Sequence, residues 1–304
     1  MEMRVGARSA AWIWMATWSL VVGSACDMAP GGGGCDNLVS GDFECSIGAR
    51  TYLVHVPDSY TGQTAVPLVV DAHGFTSNAG QQRGLSGWLA KSDQEGFIVA
   101  YPQGVNDAFN AQGACCDFAN VQDDVGFFRN IVSDVSSAAN IDAGRVFATG
   151  LSNGGSMAHT VACEASDVFV AVAPVAFQLS GGNDTVAGTV AACNPPVPVA
   201  VIHFHGTADT VTPYDEGVLD ALGALESLDA WRQIQSCNPV NVDTRFTSNT
   251  VCERHSGCTG GAFVSLCTVQ GGPHVLYASV AGSGMTIPDV AYPMLLEFAA
   301  TDPR

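Results

Sequence analysis

The chain has 304 residues, 47% hydrophobic and 13% charged, enough apolar material for one large buried core and too much for a disordered segment. Its formal net charge is −18 and Lys91 is its only lysine, so it lacks the cationic face that nucleic acid requires. The same balance disfavours anionic membrane surfaces and polyanionic substrates, and acidity of this kind keeps an exported protein soluble.

Residues 1–25 read as an export signal. Arg4 and Arg8 supply a positive start, 10–22 form an apolar run, and Gly23, Ser24 and Ala25 precede Cys26. The run is short for a bilayer span. Cys26 is the candidate for lipid attachment, although Gly23 stands where such signals usually carry leucine. Residues 26–34 end in four glycines and read as a flexible tether, leaving 35–304 as one catalytic domain without internal repeats. Eleven cysteines fit an oxidising compartment. Cys35–Cys45 is a plausible local bridge. Cys252 and Cys267 flank an expected hairpin turning near Gly260 and Gly261, so they can face each other across it. No Cys-x-x-Cys pair supports zinc.

Short apolar runs then alternate with helical patterns, which predicts a mostly parallel sheet flanked by crossover helices, the α/β class. In chain order the expected elements are strand 51–56, strand 68–72, helix 81–91, strand 97–101 and helix 123–139. The last carries Val125, Phe128, Ile131 and Val135 at helical spacing. Strand 146–149, helix 152–164, strands 168–172 and 199–204, helix 216–233, strand 262–270 and helix 290–300 complete the series. The polar stretch 104–122 is expected to be a loop over the site.

Gly150-Leu-Ser-Asn-Gly154 is the only G-x-S-x-G in the chain. Alone it is weak, since 34 glycines produce one match in roughly a quarter of such sequences by chance. A strand before it and a helix after it supply the strand–turn–helix context of a nucleophile elbow, which makes Ser152 the candidate nucleophile. A serine hydroxyl needs a base, and in such folds the acid and then the histidine follow in the chain, each on a loop after a strand. Asp209, five residues beyond strand 199–204, is the candidate acid, with Asp215 as runner-up. His274, on the loop after strand 262–270, is the candidate base, since His255 lies within a hairpin strand. Strand 68–72 leads into His73-Gly-Phe75, which assigns oxyanion-hole amides to Phe75 and Asn153. His73, His203 and His205 invite a metal reading, but no third ligand at suitable spacing accompanies the His-x-His pair.

Together Tyr52-Leu-Val-His-Val-Pro57, Pro67-Leu-Val-Val-Asp-Ala-His-Gly74, Tyr101-Pro-Gln-Gly104, Cys115-Cys116, Asp123-Asp-Val-Gly-Phe127, Gly150-Leu-Ser-Asn-Gly-Gly-Ser-Met-Ala158 and His205-Gly-Thr-Ala-Asp209 form a pattern. It resembles the secreted polyhydroxybutyrate depolymerase-like esterases, a group that includes feruloyl and acetylxylan esterases, from about residue 35 to the C-terminus. The resemblance implies an α/β-hydrolase fold, a Ser152–Asp209–His274 triad, no metal or other cofactor, and a Cys237–Cys258 pair like one common in the group. One departure bears on specificity. Family members often follow the histidine with Thr-Trp-Pro-Gly, whereas here Val275-Leu-Tyr277 follows and Pro273 precedes; Tyr277 is a candidate to replace the tryptophan.

The expected function is hydrolysis of feruloyl or acetyl esters on plant polysaccharide such as xylan, by an exported monomer whose partner is the ester-bearing polymer. Poly(3-hydroxybutyrate) is the alternative substrate, and acyl transfer the alternative reaction. An inactive, surface-tethered binding protein on a hydrolase scaffold is the competing reading of another class. A complete set of Ser152, Asp209 and His274 argues against it.

Overall fold

Uninterrupted apolar runs form the middle of the sheet, because strands covered by helices on both faces bury every side chain. The computed structural model describes residues 34–111, 122–275 and 286–302, apart from positions 183, 241 and 248. The expected leader, Cys26, nearly all of the tether, Cys115 and Cys116, most of the 104–122 loop and Tyr277 lie outside the described residues.

The strands are β1 Gly41–Ile47, β2 Arg50–Val56, β3 Val66–Ala72, β4 Ile98–Pro102, β5 Ile141–Leu151, β6 Ala171–Val175, β7 Ala200–Gly206, β8 Val242–Thr247, β9 Thr250–His255 and β10 Val264–Val269. They join in one sheet in the order β1-β2-β4-β3-β5-β6-β7-β10-β9-β8. From β4 through β10 the pairing is parallel, and antiparallel strands close both flanks, β2 with β1 on one side and β9 with β8 on the other. β4, β6 and β7 are buried at every position. The carboxyl ends of β3, β5, β7 and β10 therefore share one edge, and the loops leaving it carry Phe75, Ser152, Asp209 and His274.

Helices α1 Ala79–Leu85, α2 Trp88–Glu95 and α7 Ile287–Ala299 pack together on one face. Helices α3 Asp124–Ala138, α4 Asn153–Glu164, α5 Val186–Ala192 and α6 Ala224–Ile234 cover the other. On α3 the buried stripe is Phe127, Phe128, Ile131, Val132 and Val135, with Val125 half-buried at its margin.

Several expected boundaries move for local reasons. The helix expected at 81–91 is two helices, α1 and α2, parted at Gly87, whose φ of 79° no right-handed turn allows. Asn78 starts α1 early by accepting the Gln81 amide at 2.9 Å. The helix expected from 216 begins only at Ala224, because Ala221 pairs with Ser180 in a bridge and Glu226 reaches back to the Gly223 amide at 3.1 Å. The strand expected at 168–172 starts at Ala171, since Val168 and Phe169 still donate to the Ala165 carbonyl in the turn closing α4.

Four disulfides occur among the described residues: Cys35–Cys45, Cys163–Cys193, Cys237–Cys258 and Cys252–Cys267. Cys252 and Cys267 sit directly opposite each other in the β9–β10 register. Cys163–Cys193 ties α4 to the end of α5, a pairing that spacing along the chain did not suggest. These bridges fit an extracellular protein.

Candidate active site

Ser152 occupies the turn between β5 and α4 with φ 55° and ψ −118°, a backbone conformation that costs a non-glycine residue free energy. The turn is held from both sides: the Ser152 amide donates to the Val175 carbonyl, and the Ser156 amide donates to the Ser152 carbonyl, both at 2.9 Å. The tightness of the bend depends on two glycines. A Cβ on Gly154 would lie 2.2 Å from the Ala72 carbonyl oxygen, and one on Gly150 would lie 2.6 Å from the same atom. The end of β3 thus lies directly against the first turn of α4, whose N-terminal dipole favours negative charge beside Ser152.

Two buried side chains fasten this corner. Asn153 clamps Phe109, accepting its amide at 2.7 Å and donating to its carbonyl at 3.0 Å. His73 is buried, donates from Nδ1 to the Gly74 carbonyl at 2.8 Å, and accepts the Gly104 amide on Nε2 at 2.9 Å. Burial holds its pKa below the ordinary imidazole value, so the ring is neutral. Because a peptide unit is planar, fixing the Gly74 carbonyl also fixes the direction of the Phe75 N–H. The peptide groups of Phe75 and Asn153 therefore flank Ser152 on two anchored segments.

At the same sheet edge His274 Nδ1 donates to Asp209 Oδ2 at 2.7 Å. Asp209 is buried, and its other oxygen accepts the amides of Val211 and Thr212 at 2.9 and 2.8 Å. Burial pushes the Asp209 carboxyl upward, but the His274 hydrogen bond and the Thr212 and Val211 amides outweigh it, and the group stays below the usual carboxylate range. The Thr212 hydroxyl stands 3.0 Å from Asp209 Oδ2 and 3.2 Å from His274 Nδ1. The imidazole is thus oriented by a group that is ionised at neutral pH.

Asp209, rather than the runner-up Asp215, is the carboxylate paired with His274. His255 lies in β9 and is bonded to Glu253 at 2.7 Å. His203 and His205 are bonded to each other, at 3.2 Å. Among the described residues no hydrogen bond joins Ser152 Oγ to His274, a contact that in enzymes often tightens only with substrate in place. Thr212, the Asn153–Phe109 clamp and His73 are participants the sequence did not single out for these tasks. Thr212 had a local signal, since an aspartate commonly accepts the amides two and three residues ahead of it.

The loops around this edge expose apolar side chains. Phe75 is 41%, Val211 59% and Val275 43% exposed, each adjacent in sequence to a loop residue described above or one of them.

No family model matches the chain. Feruloyl esterase B of Piromyces equi is 32% identical over 237 residues, a match covering 74% of this chain and 42% of that protein. Feruloyl esterase D of Neurospora crassa is 29% identical over 243 residues, covering 74% of each. Among solved structures, the acetyl xylan esterase from Aspergillus awamori superimposes with a TM-score of 0.60 at 17% identity, over 83% of this chain and 94% of that one. At that identity the likeness is one of fold.

Proposed function

We propose that the chain is an esterase of the α/β-hydrolase superfamily, a serine carboxylic-ester hydrolase acting on feruloyl or acetyl esters of plant polysaccharide such as xylan. The observation that carries this reading is the Asp209–His274 pair, 2.7 Å apart, on the sheet edge where Ser152 is held at a positive-φ bend.

In the proposed reaction Ser152 Oγ attacks the ester carbonyl carbon while His274 Nε2 takes its proton. The carbonyl oxygen becomes an oxyanion facing the Phe75 and Asn153 amides, and each such donor supplies about 3 kcal/mol of transition-state stabilisation. The intermediate collapses, the alcohol leaves with the proton from His274, and an acyl-serine remains. Water, deprotonated by the same imidazole, then releases the acid and restores Ser152. Asp209 holds the imidazole with Nε2 toward the serine and stabilises its cationic form. No step needs a metal or organic cofactor.

The exposed Phe75, Val211 and Val275 side chains favour an aromatic acyl group over acetyl. The same apolar border suits a poly(3-hydroxybutyrate) film, which makes that polymer the second candidate. The proposal includes residues 35–304 as the catalytic domain, action by a monomer, and export as a free extracellular protein, with a lipid tether at Cys26 as the alternative. Palmitate labelling that vanishes in Cys26→Ala tests the tether, and labelling that persists rules it out.

The test of function compares methyl ferulate, acetylated xylan and a polyhydroxybutyrate suspension, using wild type and Ser152→Ala. Release of ferulate by wild type alone supports the reading. Polymer erosion without ferulate release reverses the ranking, and turnover by the variant removes Ser152 from the mechanism.

A further inference from the structure

Behind the acid loop lies a buried run of side chains for which the reaction has no direct use. His203 and His205 lie on β7, and His205 is fully enclosed. His205 Nε2 is 2.7 Å from the Thr212 carbonyl. A carbonyl can only accept, so Nε2 carries a proton and, in the neutral ring, Nδ1 presents its lone pair. His203 Nε2, 3.2 Å from that nitrogen, must then be the donor. One carbonyl thus dictates the tautomers of two imidazoles.

Thr212 is where this run meets the site. Its amide donates to Asp209 Oδ1 at 2.8 Å, its hydroxyl lies 3.0 Å from Asp209 Oδ2, and the hydroxyl also reaches the Ala176 carbonyl at 3.0 Å. With its carbonyl held by His205, every polar group of Thr212 is engaged, and the 209–212 turn is anchored to the strand from which it departs.

We propose that His205 is a positioning residue which, through the Thr212 backbone, holds the Asp209 carboxylate in register with His274. The inference rests on the serine-hydrolase reading above. The groups facing His205 are His203 on its own strand, Asp209 at 3.7 Å and Tyr214 on the following loop, and His274 across the acid. His159 on α4 lies beyond His203, edge-on to it at 5.3 Å. Burial keeps His205 below the ordinary imidazole pKa, so it does not become a cation competing with His274 for the same carboxylate oxygen.

The test uses two carboxamides that differ only in reach. In His205→Gln the side-chain amide can occupy the place of Nε2, whereas in His205→Asn it stops one bond short. The expected result is a kcat within about three-fold of wild type for Gln and a loss of about thirty-fold for Asn at unchanged KM. The acid limb of the kcat/KM profile, which reports the imidazole, moves to lower pH in the Asn variant because a misaligned carboxylate stabilises the imidazolium less. A merely structural role lowers Tm in both variants and leaves the acid limb in place, and that outcome overturns the proposal, as does equal impairment of both. Should the Asn variant fail to fold, His203→Leu removes the hydrogen bond that steadies the His205 ring at Nδ1. It is expected to move the acid limb in the same direction, and an unmoved limb there also overturns the proposal. Turnover by Ser152→Ala would instead remove the hydrolase reading itself, so the two failures are distinguishable.

Discussion

Gly154→Ala sets two sizeable effects against each other. Alanine is favoured over glycine inside a helix by about 1 kcal/mol, so propensity alone predicts a stabilised α4. The added Cβ, however, falls 2.2 Å from the Ala72 carbonyl oxygen, 2.6 Å from its carbon and 2.7 Å from the His73 carbonyl oxygen. All three are backbone atoms at the end of β3, and no rotamer change relieves them. Restoring a tolerable approach needs a separation of helix and strand of roughly 1 Å, and overpacking of this kind costs about 1–3 kcal/mol, enough to cancel the propensity gain or exceed it. The same separation moves the Phe75 amide relative to Ser152, and a 1 Å misplacement at a reacting centre costs about a hundred-fold in rate. Gly84 in α1 is the control: a Cβ there meets nothing within 4 Å, so Gly84→Ala is expected to gain about 1 kcal/mol with activity intact. Urea unfolding and p-nitrophenyl acetate turnover measure both variants. Wild-type kcat/KM in Gly154→Ala would refute the claim that β3 and α4 are packed at their limit around the nucleophile.

Asp71, buried on β3 with its carboxyl receiving Gln82 Nε2 at 2.6 Å, has a pKa pushed by burial to about 7. Between its ordinary value of 3.8 and 7 the folded chain keeps a proton that the unfolded chain releases, so this group erodes stability as pH rises through that window. Asp71→Asn removes the titration, and its stability advantage over wild type should widen by about 3 kcal/mol from pH 5 to pH 8 in urea unfolding. A constant difference contradicts this. Replacing Cys252 and Cys267 together by alanine opens a crosslink of sequence separation 15 and should cost about 3 kcal/mol, read as a lower urea midpoint. An unchanged midpoint would mean that the β9–β10 pairing is secure without the bond.

The parts of the site legible in sequence are those announced by local pattern. Ser152, Asp209 and His274 each follow a run of apolar strand residues, so their place at one sheet edge could be argued from the alternation of strands and helices. The Cys252–Cys267 register was readable because a hairpin makes distance along the chain report distance in space. β1 was hidden by its composition: Gly41–Ile47 has an alternating, half-exposed pattern at the sheet margin and little apolar signal. α5, seven small residues from Val186 to Ala192, carries no helical stripe of large side chains. The Asn153–Phe109 clamp and the His205–Thr212 bond depend on how segments meet after folding. Residues 153 and 109 are 44 positions apart, and nothing in either neighbourhood names the other. His73 had a signal, its place before Gly74, but its task of holding the Gly74 carbonyl needs the loop geometry.

The most direct test of the account is covalent. A fluorophosphonate ester traps a nucleophilic serine only where an imidazole activates it and amides receive the developing oxyanion. Mass spectrometry of the digested protein should find one stoichiometric phosphonyl adduct, on Ser152, with labelling abolished in Ser152→Ala and strongly slowed in Asp209→Asn. A folded wild-type chain that turns over esters yet carries the adduct elsewhere, or carries none, would contradict the assignment.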